Sequence, residues 1–354
     1  MVKPTQKSVL KIAVLSLLIM VVFYISNINM LGYGLGQLKG QIALLLKRQP
    51  VSEIMSQKET STELKNKLLF IDSVMLFGIN ELGFKPTNNY KTFVELQGKP
   101  VLWTLSASEK FALKPFMWKY PILGEMAYKG YFDSLKLANE ALHLKELGFE
   151  VCEGEVIAWS TLGFLPDPIL SSMLELPKGK LARLILHELT HSEVFISSDA
   201  DLNENLASFM GDKGALLFLE MQYGNRSEPL QELHDYLFDL KILTDYTLEF
   251  KTQLEFFYTK IERLPEIQKQ TRKELFLEGY VKGLRNQKLK NPKNFEKLLN
   301  SETLPKNCFF NDFMMYRNYQ GEFEMQLKEN HQNNLKSFIG EYKKKYGNSI
   351  NPFL

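Results

Sequence analysis

Five consecutive residues hold the densest chemistry in the 354-residue chain: His187-Glu188-Leu189-Thr190-His191. On a helix, positions i and i+4 lie on one face, so both imidazoles can turn toward a common metal ion. The carboxylate at i+1 then reaches a water held by that ion. Neutral imidazole suits zinc, and a catalytic zinc takes three protein ligands and keeps one position for water. Two of the chain's five histidines fall inside this segment, whereas chance would produce the pattern with an expectation on the order of 10⁻². The others, His143, His234 and His331, have no metal partner at i+3 or i+4 and read as structural or solvent-facing. The expectation is one zinc ion per chain, with Glu188 as general base for hydrolysis. Glu204, in Asn203-Glu204-Asn205, stands near the start of the next helix. A helix–loop–helix connection would return that turn to the His187–His191 face, making Glu204 the candidate third ligand.

The elements around this segment are legible from periodicity. Residues 180–196 read as an apolar helix bearing the motif, 197–201 as a short acidic loop, and 202–222 as another helix. Upstream, residues 61–81 and 134–147 have helical spacing, the second ended by Gly148. Residues 101–105 and 149–159 have strand composition or alternation, and 160–168 is a turn-rich connector. Downstream, Leu237, Leu240, Leu243, Leu248 and Phe256 form a helical stripe, Pro265 breaks it, and a second helix follows. The expected fold is α+β and predominantly helical, with a small mixed sheet beside the motif helix and a helical hairpin over 227–297. No Pro/Gly/Ser-rich linker divides the chain, so residues 31–354 are expected to form one domain.

Before that domain, Lys3, Lys7 and Lys11 precede or enter an apolar stretch running from Val9 to Ile28. Its 20 residues can cross a bilayer as a helix. The lysines then keep the N-terminus inside and place the catalytic domain on the extracytoplasmic side of the inner membrane. A cleaved signal peptide is the competing reading. No small-x-small cleavage site follows, which favours an uncleaved anchor over residues 1–30. Net charge is +2 and no basic–aromatic module is present, so nucleic acid is not an expected partner. Cys152 and Cys308 could pair in an oxidising compartment, but the simpler reading is two separate buried thiols.

Several segments together resemble a known family, the bacterial predicted zinc aminopeptidases, which are membrane-attached and often lipoproteins. They are GQIALLL, VLWTLSASEKFALKP, GEMAYKGYF, AWSTLGFLPDPIL, LARLILHELTH and DLNENLASF. The NExxA pattern is also similar to the third-ligand motif of gluzincin metallopeptidases, though the spacer to Glu204 is shorter than in thermolysin-like members. Those members place an aspartate four positions after the ligand glutamate, where this chain has Ser208. Asp199 or Asp201 could take its place beside a ligating histidine. The lipid-accepting cysteine of the lipoprotein members is absent. The resemblance implies a zincin-like core, a peptide substrate and a zinc-activated water. It implies an oxyanion donor from FNDFMMYRNY, either Tyr316 or Tyr319, with Tyr319 closer to a family tyrosine. It also implies an edge strand that binds substrate, here Val156-Ile157-Ala158-Trp159-Ser160 with Ala158 and Ser160 as its substrate-binding positions. Tyr128, Lys129 and Tyr131 would line the cleft, and Glu125 would grip a substrate amine. The same zinc site would equally serve an endopeptidase, and a non-catalytic envelope scaffold could retain the fold.

Overall fold

The computed structural model describes residues 28–120, 124–158, 166–196 and 199–346. The chain is mostly helical. The principal helices are α1 (Ile28–Leu46), α2 (Thr62–Asn80), α3 (Ser134–Glu146), α4 (Lys178–Glu193), α5 (Ala200–Tyr223), α6 (Glu228–Ile261), α7 (Glu266–Arg285), α8 (Asn307–Arg317), α9 (Gln320–His331) and α10 (Leu335–Tyr346). The strands are β1 (Gln49–Pro50), β2 (Thr92–Val94), β3 (Leu102–Glu109), β4 (Trp118–Tyr120), β5 (Gly124–Met126), β6 (Tyr128–Tyr131), β7 (Phe149–Val156) and β8 (Ile169–Leu170).

Local chemistry sets the helix starts. Ser61 caps α2 by accepting from the Leu64 N–H, Asp133 caps α3 through the Leu135 N–H, and Asp199 caps α5 through the Leu202 N–H. Each cap satisfies an amide that has no partner inside its helix. Gly224, at φ 83°, ends α5 in a conformation that L side chains rarely adopt.

The largest apolar core is built from α2, α4, α5, α9 and α10, with Ile71, Val74, Ile185, Leu186, Phe218 and Phe338 among its sealed members. Glycine makes its central contact possible. A Cβ on Gly211 of α5 would lie 2.7 Å from the Arg183 carbonyl oxygen and 3.2 Å from the His187 Cβ on α4. Only a residue without a side chain lets the two backbones approach so closely.

The second layer is the antiparallel sheet β6–β3–β7. Strand alternation gives it two unlike faces. Leu105, Ala107, Val151 and Tyr131 pack with Leu137, Ala141 and Leu144 of α3. The other face carries Ser106 and Ser108, and α8 lies against it: Ser106 Oγ donates to Asp312 at 2.7 Å and Asn311 Nδ2 donates to Ser108 Oγ at 3.2 Å. A separate core joins α6, α7 and α8 through Leu243, Phe250, Leu254, Tyr280 and Phe310. Buried Lys273 of α7 pairs with Glu150 of β7 at 2.6 Å and ties this layer to the sheet. Within α6 the expected stripe holds at Leu237 and Leu243 and departs further along, where Thr247, Phe250 and Leu254 are buried while Phe256 is 63% exposed.

Three expectations are corrected. The single mixed sheet is replaced, among the described residues, by three small sheets: the antiparallel one above, a β4–β5 hairpin, and a β1–β2–β8 ribbon of two- and three-residue strands. Only the ribbon is mixed, and the longer strands pair antiparallel. The membrane-spanning helix, and the single-pass placement drawn from it, are withdrawn, because among the described residues no helix is long and apolar enough to cross a membrane. Helix α1 is 19 residues long but carries four glycines, Gln37, Lys39 and Gln41. Residues 1–27, most of the expected anchor, lie outside the described residues. The cysteines are not separate thiols: Cys152 of β7 and Cys308 of α8 form a disulfide. Pairing follows from α8 lying across the polar face of the sheet, a tertiary contact that spacing cannot reveal.

Candidate active site

His187 and His191 occupy successive turns of α4, with their ring Nε2 atoms 3.2 Å apart. Glu204, in the second turn of α5, meets both: Oε2 lies 3.3 Å from His187 Nε2 and Oε1 lies 3.6 Å from His191 Nε2. One ligand atom from each residue falls within 4.8 Å of the others, a group that could hold a metal ion. The Gly211 contact sets the α4–α5 spacing. Asn203 sets the approach, since its side chain accepts from the Ile196 N–H and donates to the Ile196 carbonyl, both at 2.8 Å, bracing the connector between the helices.

The charges are strongly coupled. Burial raises the Glu204 carboxyl, but His191 and His187 outweigh it and hold the group well below the usual carboxylate range. Burial depresses His191, yet Glu204 and then Glu188 raise it to about 9. A carboxylate and two imidazoles this close favour a shared positive charge between them, the condition a divalent cation satisfies. Glu188, one position along α4, is half-buried, and its charge acts on His191, Tyr90, Tyr128 and Tyr316.

Tyr316 projects from α8 with its ring centroid 6.4 Å from that of His187. Although 41% of the residue is exposed, desolvation pushes its phenol well above the ordinary value, followed by the charges of Glu204, Tyr128, Glu188 and Asp312. Tyr128 of β6 is raised by desolvation and then by Glu204 and Glu188. Both phenols therefore keep their protons at neutral pH and can act as hydrogen-bond donors.

Tyr319 is placed differently. Its N–H donates to Asn205 Oδ1 at 2.9 Å, and its ring packs near Phe323 on the side of the apolar core. Glu125 also stands apart: it lies on the exposed β4–β5 hairpin and pairs with Lys119 at 3.1 Å. Ala158 stands two residues past the end of β7 and packs at the edge of the main core. Ser160 lies outside the described residues. Lys129 and Tyr131 turn to a different cluster, where Lys129 sits over the Tyr33 ring at 4.7 Å and pairs with Glu140 at 3.2 Å. Of the two aspartates weighed as partners for a histidine, Asp199 caps α5, while desolvation and then Asp199 and Glu204 raise the Asp201 carboxyl.

Several residues with a part in the site were not legible from spacing. Asp212 of α5 binds Arg183 of α4 and, at 2.6 Å, Arg317 of α8. Burial raises its carboxyl, but the two guanidiniums hold it below the usual range. Asn205 donates to the Met315 carbonyl at 2.7 Å. These two residues fix the end of α8 that carries Tyr316 onto α5, which carries Glu204. Buried Tyr90 adopts φ 60° and is pushed well above its ordinary value by desolvation, then by Glu188 and Asp167. The preceding Asn88-Asn89 hints at a turn, but nothing local links it to a glutamate on α4.

No curated protein and no solved structure matches the chain. A model of the family described as putative aminopeptidase matches residues 32–348, an extent that includes every residue of the site above. The chain belongs to this putative aminopeptidase family.

Proposed function

We propose that the protein is a zinc-dependent peptidase of the aminopeptidase type, with His187, His191 and Glu204 as metal ligands and Glu188 as general base. The observation that carries this reading is the convergence of two imidazoles and one carboxylate from α4 and α5 within 4.8 Å, beside a further glutamate one residue from the first histidine. That donor set fits zinc, for which two histidines and a glutamate make a three-ligand catalytic site. When bound, zinc supplies a Lewis acid for the scissile carbonyl and lowers the pKa of a coordinated water.

The chain's own residues do the rest. Glu188 accepts a proton from the attacking water and delivers it to the leaving amine. Tyr316 keeps its proton and stands over His187, where its hydroxyl donates to the oxygen that becomes negative as the carbonyl is attacked. Tyr128 offers a second donor from the sheet. The polypeptide around residues 156–158 lies at the end of β7 and offers backbone groups to an extended peptide.

Glu188→Gln tests the mechanism. It keeps the shape of the site and removes the base. Zinc content should stay at one per chain while hydrolysis of peptides falls by about 10³-fold or more. Unchanged turnover in that variant would remove Glu188 from the mechanism, and metal-free protein after zinc dialysis would remove the zinc reading.

A further inference from the structure

Building on the peptidase reading, we propose that Asp312 receives the free α-ammonium of the substrate and so restricts the site to unblocked peptide N-termini. Asp312 lies one turn before Tyr316 on the same face of α8. One turn advances about 5.4 Å, and an extended residue spans about 3.3–3.6 Å. A carbonyl held at the Tyr316 end therefore has room for one residue before its ammonium meets Asp312. Ser106 connects the same two places from the sheet: its hydroxyl donates to Asp312 at 2.7 Å, and in strand register it stands opposite Tyr128.

The carboxylate is partnered in an unusual way for this protein. Asp212 has two arginines, Glu150 has Lys273, Glu193 has Lys343, and buried Asp239 accepts two backbone N–H groups. Among the described residues Asp312 takes part in no ion pair, and its one hydrogen bond comes from the neutral Ser106 hydroxyl. An ionised carboxylate has room for about four acceptor contacts, so most of its capacity is open. Desolvation, only partly offset by Ser106, raises its carboxyl to about 6. A part-buried anion without a cation is costly on its own, and an incoming ammonium relieves that cost. Glu125, the carboxylate expected in this role, is exposed and already paired with Lys119.

The test is binding to the full chain, zinc-loaded and carrying Glu188→Gln so that peptides persist. Calorimetry compares alanyl-alanine with its N-acetyl form. The free peptide should bind about 30-fold more tightly or better, the range of a charge-assisted contact. Adding Asp312→Asn should reduce that preference to about threefold or less, and Asp312→Glu should restore part of it. Because Asn is isosteric and neutral, the melting temperature at pH 7 should stay level or rise. A preference that survives Asp312→Asn overturns the proposal, as does failure of the free peptide to bind. A lower melting temperature with both affinities reduced equally also overturns it, because Asp312 would then be a brace between α8 and the sheet. Hydrolysis by the unmodified chain separates this proposal from the reading beneath it. Equal zinc-dependent cleavage of free and blocked peptides refutes the ammonium anchor and leaves the peptidase standing. A free-amine preference in binding, with no cleavage, does the reverse.

Discussion

Gly211→Ala is a one-carbon probe of how the candidate metal site is held together. The added Cβ would sit 2.7 Å from the Arg183 carbonyl oxygen and 3.2 Å from the His187 Cβ. Ordinary contact begins at about 3.4 Å, so α4 and α5 must separate by roughly 0.7 Å along that line. Overpacking of this kind costs about 1–3 kcal/mol of stability. Glu204 lies two turns before Gly211 on the same face of α5 and stands 3.3 Å from His187 and 3.6 Å from His191. Metal–ligand distances tolerate only about 0.2 Å, so a shift that size should weaken zinc by about tenfold or more. Chemical denaturation of the metal-free protein reads the first effect, and competition with a chromophoric chelator reads the second. Gly340→Ala is the control: it lies in helix α10 with nothing within 4 Å of the new carbon, and should add up to about 1 kcal/mol through helix propensity alone. If Gly211→Ala leaves zinc affinity within twofold and stability unchanged, the close approach at Gly211 does not set the ligand geometry.

Other perturbations have defined outcomes. Replacing Cys152 and Cys308 with serine opens a loop of sequence separation 156. Loop entropy puts the loss at about 5 kcal/mol as an upper bound, read as a lower denaturation midpoint, and an unshifted midpoint would refute it. Arg317→Met leaves Asp212 with Arg183 alone and should cost about 3 kcal/mol in urea denaturation. It should also lower kcat with zinc retained, because Tyr316 is the adjacent residue, and an effect on neither quantity would detach this ion cluster from α8. The raised Asp312 carboxyl gives stability a pH signature. The folded state favours the protonated form, so its contribution is intact below about pH 4 and is lost as pH rises through about 6. The loss is on the order of 2–3 kcal/mol, taken as the difference between the parent and Asp312→Asn across that window. A difference that does not change with pH would refute it.

Read along the chain, the sequence determined the chemistry that is local to one helix. The i, i+4 histidines and the adjacent glutamate need only helical geometry, and α4 supplies it from Lys178 to Glu193. Glu204 was within reach as well, because a short connector between two helices leaves few places for the next turn to go. Membership of a peptidase-like family was also readable, since it rests on motif segments spread over most of the chain. The fold beyond that was less accessible. The apolar stripe of α6 was mis-phased beyond Leu243 because apolar residues occur on more than one side of that helix, and only packing against α7 and α8 selects which side is buried. The apolar N-terminal run has a hydropathy that suggests an anchor, yet the glycine- and glutamine-bearing α1 that follows it packs on the protein, with Tyr33 and Gln37 both donating to the Gly130 carbonyl. Tertiary structure alone decided which tyrosine faces the His187–His191–Glu204 group. Tyr316 and Tyr319 are three residues apart, but α8 ends between them, so the first turns toward His187 and the second toward Phe323. It also decided that Glu125 stands apart, that Asp312 meets Ser106 of the sheet, and that Cys152 meets Cys308. The places of Asp312 and of the Cys152–Cys308 pair depend on α8 crossing the polar face of a sheet about 150–200 residues earlier in the chain. Contacts at that separation follow from how layers pack, and no local spacing encodes them.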